Sequence, residues 1–196
     1  MLVPRIQQHF FDSADLKYQV AETLSRPIAD AAAAVLGCLT AGGKVLASGA
    51  EMSAADAQRL VAGFVGRFER QRPGLAALAL PASAIVSAAL AREGEGALAA
   101  QVQALGSPGD VLLLLNAEAP SAVEQLAIAA AHDKDMAVIF FGGREVSALR
   151  DALQETDVLI SVPHERAARI REIHALAMHC LLDAVDVQLL GEQEPS

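Results

Sequence analysis

Short apolar runs alternate with helical segments along this chain, and that alternation does most to narrow its fold. Lys44-Val45-Leu46-Ala47, the run from Leu75 to Leu80, Val111-Leu112-Leu113-Leu114-Leu115, the run from Met136 to Phe141, and residues 157–162 are short, and glycine or proline punctuates most of them. Runs of this length read as buried strands. Helical spacing covers 53–70, 83–91, 97–105, 121–132, 145–154 and about 166–189. Apolar strands separated by helices make a parallel sheet covered on both faces. The expected architecture is therefore α/β, a three-layer α-β-α sandwich around a five-stranded parallel sheet.

Extra helices precede the first strand. Residues 5–40 have helical periodicity, with a break expected at Asp12-Ser13-Ala14-Asp15. Pro27 suits the first turn of a second helix, where no backbone N–H is needed. Ala41-Gly42-Gly43 is a stop signal. Arg92-Glu93-Gly94-Glu95-Gly96 reads as a flexible polar loop. One domain over 1–196 follows: N-terminal oligomerisation helices at 1–40, an α/β core at 41–190 and a flexible tail at 191–196.

Apolar residues make up 53 % of the chain and aromatic ones only 4 %, so alanine and aliphatic side chains must build the core. That excess of apolar surface points to a subunit interface. No apolar run reaches the ~18 residues that span a bilayer, and the first residues lack the apolar stretch of a signal peptide, so a cytoplasmic protein without membrane contact is expected. The formal net charge of −9 argues against direct nucleic-acid binding. Cys38 and Cys180 both lie in apolar helical contexts and are expected as buried thiols.

The stretch from Ser48 to Arg59 carries the clearest functional signal. A strand, a turn of small residues and a helix opening near Ser53 aim backbone N–H groups at a point where an anion can sit. Glu51 stands in that turn, and a carboxylate opposes an anion. A second loop at the carboxyl end of a strand, Asn116-Ala117-Glu118-Ala119-Pro120-Ser121, has the same character.

The chain resembles a sugar isomerase (SIS) domain, in the branch of the phosphoheptose isomerases and the DnaA initiator-associating proteins (DiaA). The resemblance rests on Ser53-Ala54-Ala55-Asp56-Ala57-Gln58, Gly66-Arg67-Phe68-Glu69, Ala79-Leu80, Gln101 to Gly106, Gly109-Asp110-Val111-Leu112-Leu113, Val162-Pro163 and Ala168 to His174. These pieces are colinear and cover nearly the whole chain after residue 40.

The resemblance implies a phosphate loop Gly-Asn-Gly-Gly-Ser where this chain has Gly49, Ala50, Glu51, Met52 and Ser53. It implies Ser-Thr-Ser-Gly-Asn-Ser where the chain has Asn116, Ala117, Glu118, Ala119, Pro120 and Ser121. Ser53 and Ser121 remain as sugar-phosphate-binding remnants, and Pro120 deletes a donor. At ~5 Å and an effective dielectric of ~20, Glu51 or Glu118 beside a phosphate costs about 3 kcal/mol.

The family's metal ligands and acid/base residues fall on Arg59, Gly63, Arg171 and His179, and only His179 matches. Neither a zinc site nor another cofactor is expected, and one histidine without a carboxylate partner is poorly equipped to move both protons of an isomerisation. Arg59 and Arg171 are expected to fill the old pocket, paired to Glu51 or Glu118. His174 and His179, about 500° apart around a helix, do not share a face for one metal, and His9, His132 and His164 show no companions. The resulting expectation is a non-catalytic homotetramer that resembles the DnaA initiator-associating protein and binds DnaA in replication initiation, with Leu189-Leu190 as a contact surface. The alternatives are a phosphoheptose isomerase acting on sedoheptulose 7-phosphate, or a sugar-phosphate sensor.

Overall fold

A computed structural model of the chain describes residues 2–81 and 83–192. The five strands are β1 (Val45–Gly49), β2 (Ala77–Leu80), β3 (Val111–Leu115), β4 (Ala137–Gly142) and β5 (Val158–Ser161). All neighbours are parallel, in the order β2-β1-β3-β4-β5. The chain starts in the middle of the sheet, runs outward to β2, and returns past β1 to β3. That reversal puts β1 and β3 side by side and opens a crevice between the loops that follow them, the usual ligand position in such sheets.

Among the described residues, seven α-helices cover the sheet: α1 (Leu2–Thr40), α2 (Ser53–Val65), α3 (Ala84–Ala89), α4 (Ala97–Leu105), α5 (Ala122–His132), α6 (Ser147–Arg150) and α7 (Ala167–Leu190). Alternation along the strands divides the core. Val45, Ala47, Leu113 and Leu115 face a layer that holds α1, α2 and α7, while Leu46, Leu112 and Leu114 face α4, α5 and α6. The expected three-layer sandwich is what the chain forms.

Several boundaries differ from expectation for local reasons. Residues 2–40 form one continuous helix through Pro27. A helix-interior proline costs about 3 kcal/mol, but Leu16, Val20 and Leu24 before it and Ala31, Ala32 and Val35 after it are all buried on one face. Docking on both sides of the proline holds the helix together. Helix α2 stops at Val65, before the expected residue 70, because Arg72 turns back to cap its end. The segment expected as a loop at 92–96 winds into a 3-10 turn, Ala91–Gly96, and α6 shrinks to four residues.

Helix α7 is long and apolar enough by composition to cross a membrane, yet its buried positions include Arg169, His174 and Asp186. It is a core helix of the layer it forms with α1 and α2. Cys38 is buried as expected, whereas Cys180 is exposed on the outer side of α7. Among the expected tail residues, 193–196 lie outside the described residues.

Candidate functional site

The first loop is shaped by Gly49. A Cβ on this residue would lie 2.1 Å from the Ser53 carbonyl oxygen, so the strand end approaches the helix start as only glycine permits. The turn then closes on itself. Ala50 N–H donates to the Leu115 carbonyl at 2.9 Å, Ser53 N–H to the Ala50 carbonyl at 2.8 Å, and Ala54 N–H to the Glu51 carbonyl at 3.2 Å. Ser53 itself is 1 % exposed. The first of these bonds also ties this loop to the end of β3, so the two candidate loops share one edge of the sheet.

The second loop is bound by side chains. Asn116, buried at the end of β3, donates from Nδ2 to Glu124 Oε1 at 2.6 Å and accepts the Glu118 N–H at Oδ1. Ser121 caps α5, and its N–H and Oγ–H both donate to Glu124 Oε2, which completes a capping box. Ser121 therefore has a structural partner already. Its spacing to Glu124, Ser-x-x-Glu ahead of an apolar helix, was the signal in the sequence that could have shown this.

Glu51 and Glu118 are both exposed. Their charges are solvated, and the cost assigned to a phosphate beside them in a dry cleft does not arise. Glu51 instead carries a different expense: its φ is +47°, in the left-handed region that suits glycine. The expected pairing with Arg59 and Arg171 is also absent. Arg59 forms its ion pair with Asp56, a buried carboxylate one turn back in α2. Arg171 makes no ion pair among the described residues and sits half-buried beside His174.

Above the ends of β1, β2 and β3 lies a cavity of about 230 Å³, lined by Ser48, Gly49, Pro81, Ser87, Gln101 and Glu124 among others. Glu51, Glu118, Arg59 and Arg171 do not line it. A second cavity, about 320 Å³, lies between α2 and α7 and holds Arg59, Gly63, Arg67, Phe68, His179 and Leu182. The structure thus brings His179, Arg59 and Gly63 together, but apart from the loop cleft.

This second cavity does not fit a metal. Arg59 contributes a cation tied to Asp56, and Gly63 contributes no side chain. Leu182 lies beside Gly63, with Cδ1 2.6 Å from where a Cβ would stand. His179 packs on Phe68, ring centroids 5.2 Å apart. No group of three metal-ligating side chains occurs among the described residues.

The remaining histidines have companions that the sequence did not reveal. His132 Nε2 meets Asp157 Oδ2 at 2.8 Å, and His9 accepts from Arg169. His174 is completely buried, donates from Nε2 to the Gly142 carbonyl at 3.1 Å, and packs edge-on against Phe141. Burial lowers its pKa to about 4, against the opposing pull of the Gly142 hydrogen bond and Asp56. It is a neutral, structural imidazole.

An SIS-domain profile matches residues 8–143. The phosphoheptose isomerase of Methylibium petroleiphilum is 62 % identical over 99 % of this chain and 98 % of its own length. The solved phosphoheptose isomerase GmhA of Neisseria gonorrhoeae superposes with a TM-score of 0.88 at 38 % identity, covering 95 % of this chain and 99 % of that one. That of Francisella tularensis gives 0.89 at 34 % identity, covering 95 % and 98 %. The chain belongs to the SIS domain family. Within it, the chain is similar over nearly its full length to proteins named phosphoheptose isomerases. These relatives overturn the expectation of a DnaA-binding regulator of replication initiation; the isomerase alternative accords with them better.

Proposed function

We propose that this chain takes a phosphorylated seven-carbon sugar and acts as a phosphoheptose isomerase, with sedoheptulose 7-phosphate as substrate. The observation that carries the reading is the full-length similarity to phosphoheptose isomerases at up to 62 % identity. The crevice where the β1 and β3 loops meet is the place for the ligand. His179 is the one acid/base candidate in a family position. One feature supports an assembly of several copies, for which we propose a homotetramer in the cytoplasm. The first half of α1 exposes Leu2, Val3, Ile6, Phe10 and Phe11.

A second reading, binding without turnover, is favoured by the lining of the α2–α7 cavity. There Arg59 and Gly63 stand where the resemblance places metal and proton-transfer groups, and Leu182 packs beside Gly63. A coupled assay with sedoheptulose 7-phosphate separates the two. Turnover that His179→Ala abolishes supports the isomerase. Stabilisation of the fold by the sugar phosphate without turnover supports the second reading. Neither turnover nor stabilisation refutes both.

A further inference from the structure

Gln101 has the one feature of the loop cleft that points to a ligand rather than to the fold. It is 5 % exposed, on α4, and lines the cavity above β1 and β3. Its Nε2 donates to the Ala97 carbonyl at 3.2 Å, which fixes the orientation of the amide. Turning the amide over would set oxygen against oxygen. Its Oε1 is then buried without a hydrogen-bond partner among the described residues. A buried acceptor left unpaired is costly.

The hydroxyl donors lining the cavity are already committed, Ser87 Oγ to the Ser83 carbonyl among them, and exposed Glu95 adds only an acceptor. Ser48 Oγ donates to the Leu80 carbonyl, and both oxygens of Glu124 accept from Asn116 and Ser121. Leu98 and Leu114 supply apolar walls. Such a cleft suits a chain of C–H groups carrying a hydroxyl donor. It does not suit the phosphate group of a sugar phosphate at this point, because a phosphate-ester dianion has no proton to give.

We propose that Gln101 is a specificity-determining residue whose Oε1 accepts a hydrogen bond from a hydroxyl of the sugar portion of the ligand. This rests on the sugar-phosphate reading above. It assigns Gln101 no acid or base role. The selectivity it confers is for a polyol over a deoxygenated analogue, since a site built to pair a hydroxyl discriminates against its absence.

Gln101→Met keeps the length of the side chain and deletes the acceptor. Calorimetric binding of sedoheptulose 7-phosphate, with inorganic phosphate as a second probe, is measured on the whole protein and on this variant. The expected result is about tenfold weaker sugar-phosphate binding with inorganic phosphate unchanged. If the wild type binds sugar phosphate and the variant binds it equally well, the Gln101 assignment is overturned while the proposed function stands. Equal weakening for both probes also overturns it, since that reports general damage. If the wild type binds no sugar phosphate, the proposed function itself falls. Gln101→Leu serves in the same way if the methionine variant does not fold.

Discussion

Arg72→Ala should be among the most damaging substitutions in this chain. The Arg72 guanidinium lies 2.5 Å from Asp186, and both side chains are 1 % exposed. The same guanidinium donates to the carbonyls of Gly63 at 2.7 Å and Phe64 at 2.8 Å, which are orphans of the last turn of α2. Removing it strands a buried carboxylate whose Oδ2 already has no partner among the described residues. Breaking a buried pair from one side costs about 3–5 kcal/mol. In a domain of this size each kcal/mol moves Tm by about 2–4 °C, so a fall of roughly 6–20 °C is expected. Thermal unfolding of Arg72→Ala measures it, and urea unfolding of Asp186→Leu, Arg72→Met and the Arg72→Met/Asp186→Leu double variant supplies the cycle. The double variant removes the stranded charge and should recover about 2 kcal/mol or more relative to additivity. A drop of under about 3 °C for Arg72→Ala, or strict additivity in the cycle, would refute the idea that this pair clamps α2 to α7.

Glu51→Gly should raise stability by about 0.5–1 kcal/mol, because it relieves the left-handed backbone at that turn by more than glycine's added chain entropy removes; a loss would show that the Glu51 side chain contributes to the loop. Ser121→Ala should cost about 1 kcal/mol by removing the cap on α5, read by thermal unfolding. Buried His174 titrates far below its unfolded value of about 6.5. The unfolded chain therefore binds the extra proton between that value and about 4. Stability is complete above pH 6.5 and declines by up to about 3 kcal/mol as pH falls towards 4; His174→Gln should flatten that slope in urea titrations. Arg59→His with Gly63→Glu and Arg171→Gln should confer no zinc-dependent rise in Tm unless Leu182→Ala is added, because Leu182 occupies the space.

The sheet and its order of elements were legible because each strand is a bounded apolar run. Helix α4 and strand β3 fall at 97–105 and 111–115, where Gly96, Gly106, Pro108 and Gly109 mark both ends of the helix and the start of the strand. The continuity of α1 was not legible. Pro27 is a local breaker, and only the buried residues on either side, brought against α7 in three dimensions, override it. The loops were legible in their chemistry and not in their geometry. That Glu51 and Glu118 are carboxylates is plain in the sequence, but that both project into solvent depends on the left-handed turn at Glu51 and on the Asn116–Glu124 lock. Gln101 was visible only as part of a family match, since nothing in a sequence distinguishes an unpaired amide from a paired one.

The joining of α1 to α7 has a consequence for how the chain is made. Arg169 of α7 donates to the carbonyl and the imidazole of His9, across 160 positions of sequence. Helix α1 is thus completed by a helix synthesised long after it. At about 5–20 residues per second, α1 waits several seconds or more with Leu16, Val20, Leu24 and Val35 uncovered. During that wait it is a free amphipathic helix, able to associate with any apolar surface nearby, including the α1 of a neighbouring nascent chain. Productive folding of this protein in the cell is expected to depend on late synthesis of α7, and truncation inside α7 to yield aggregated rather than partly active chains.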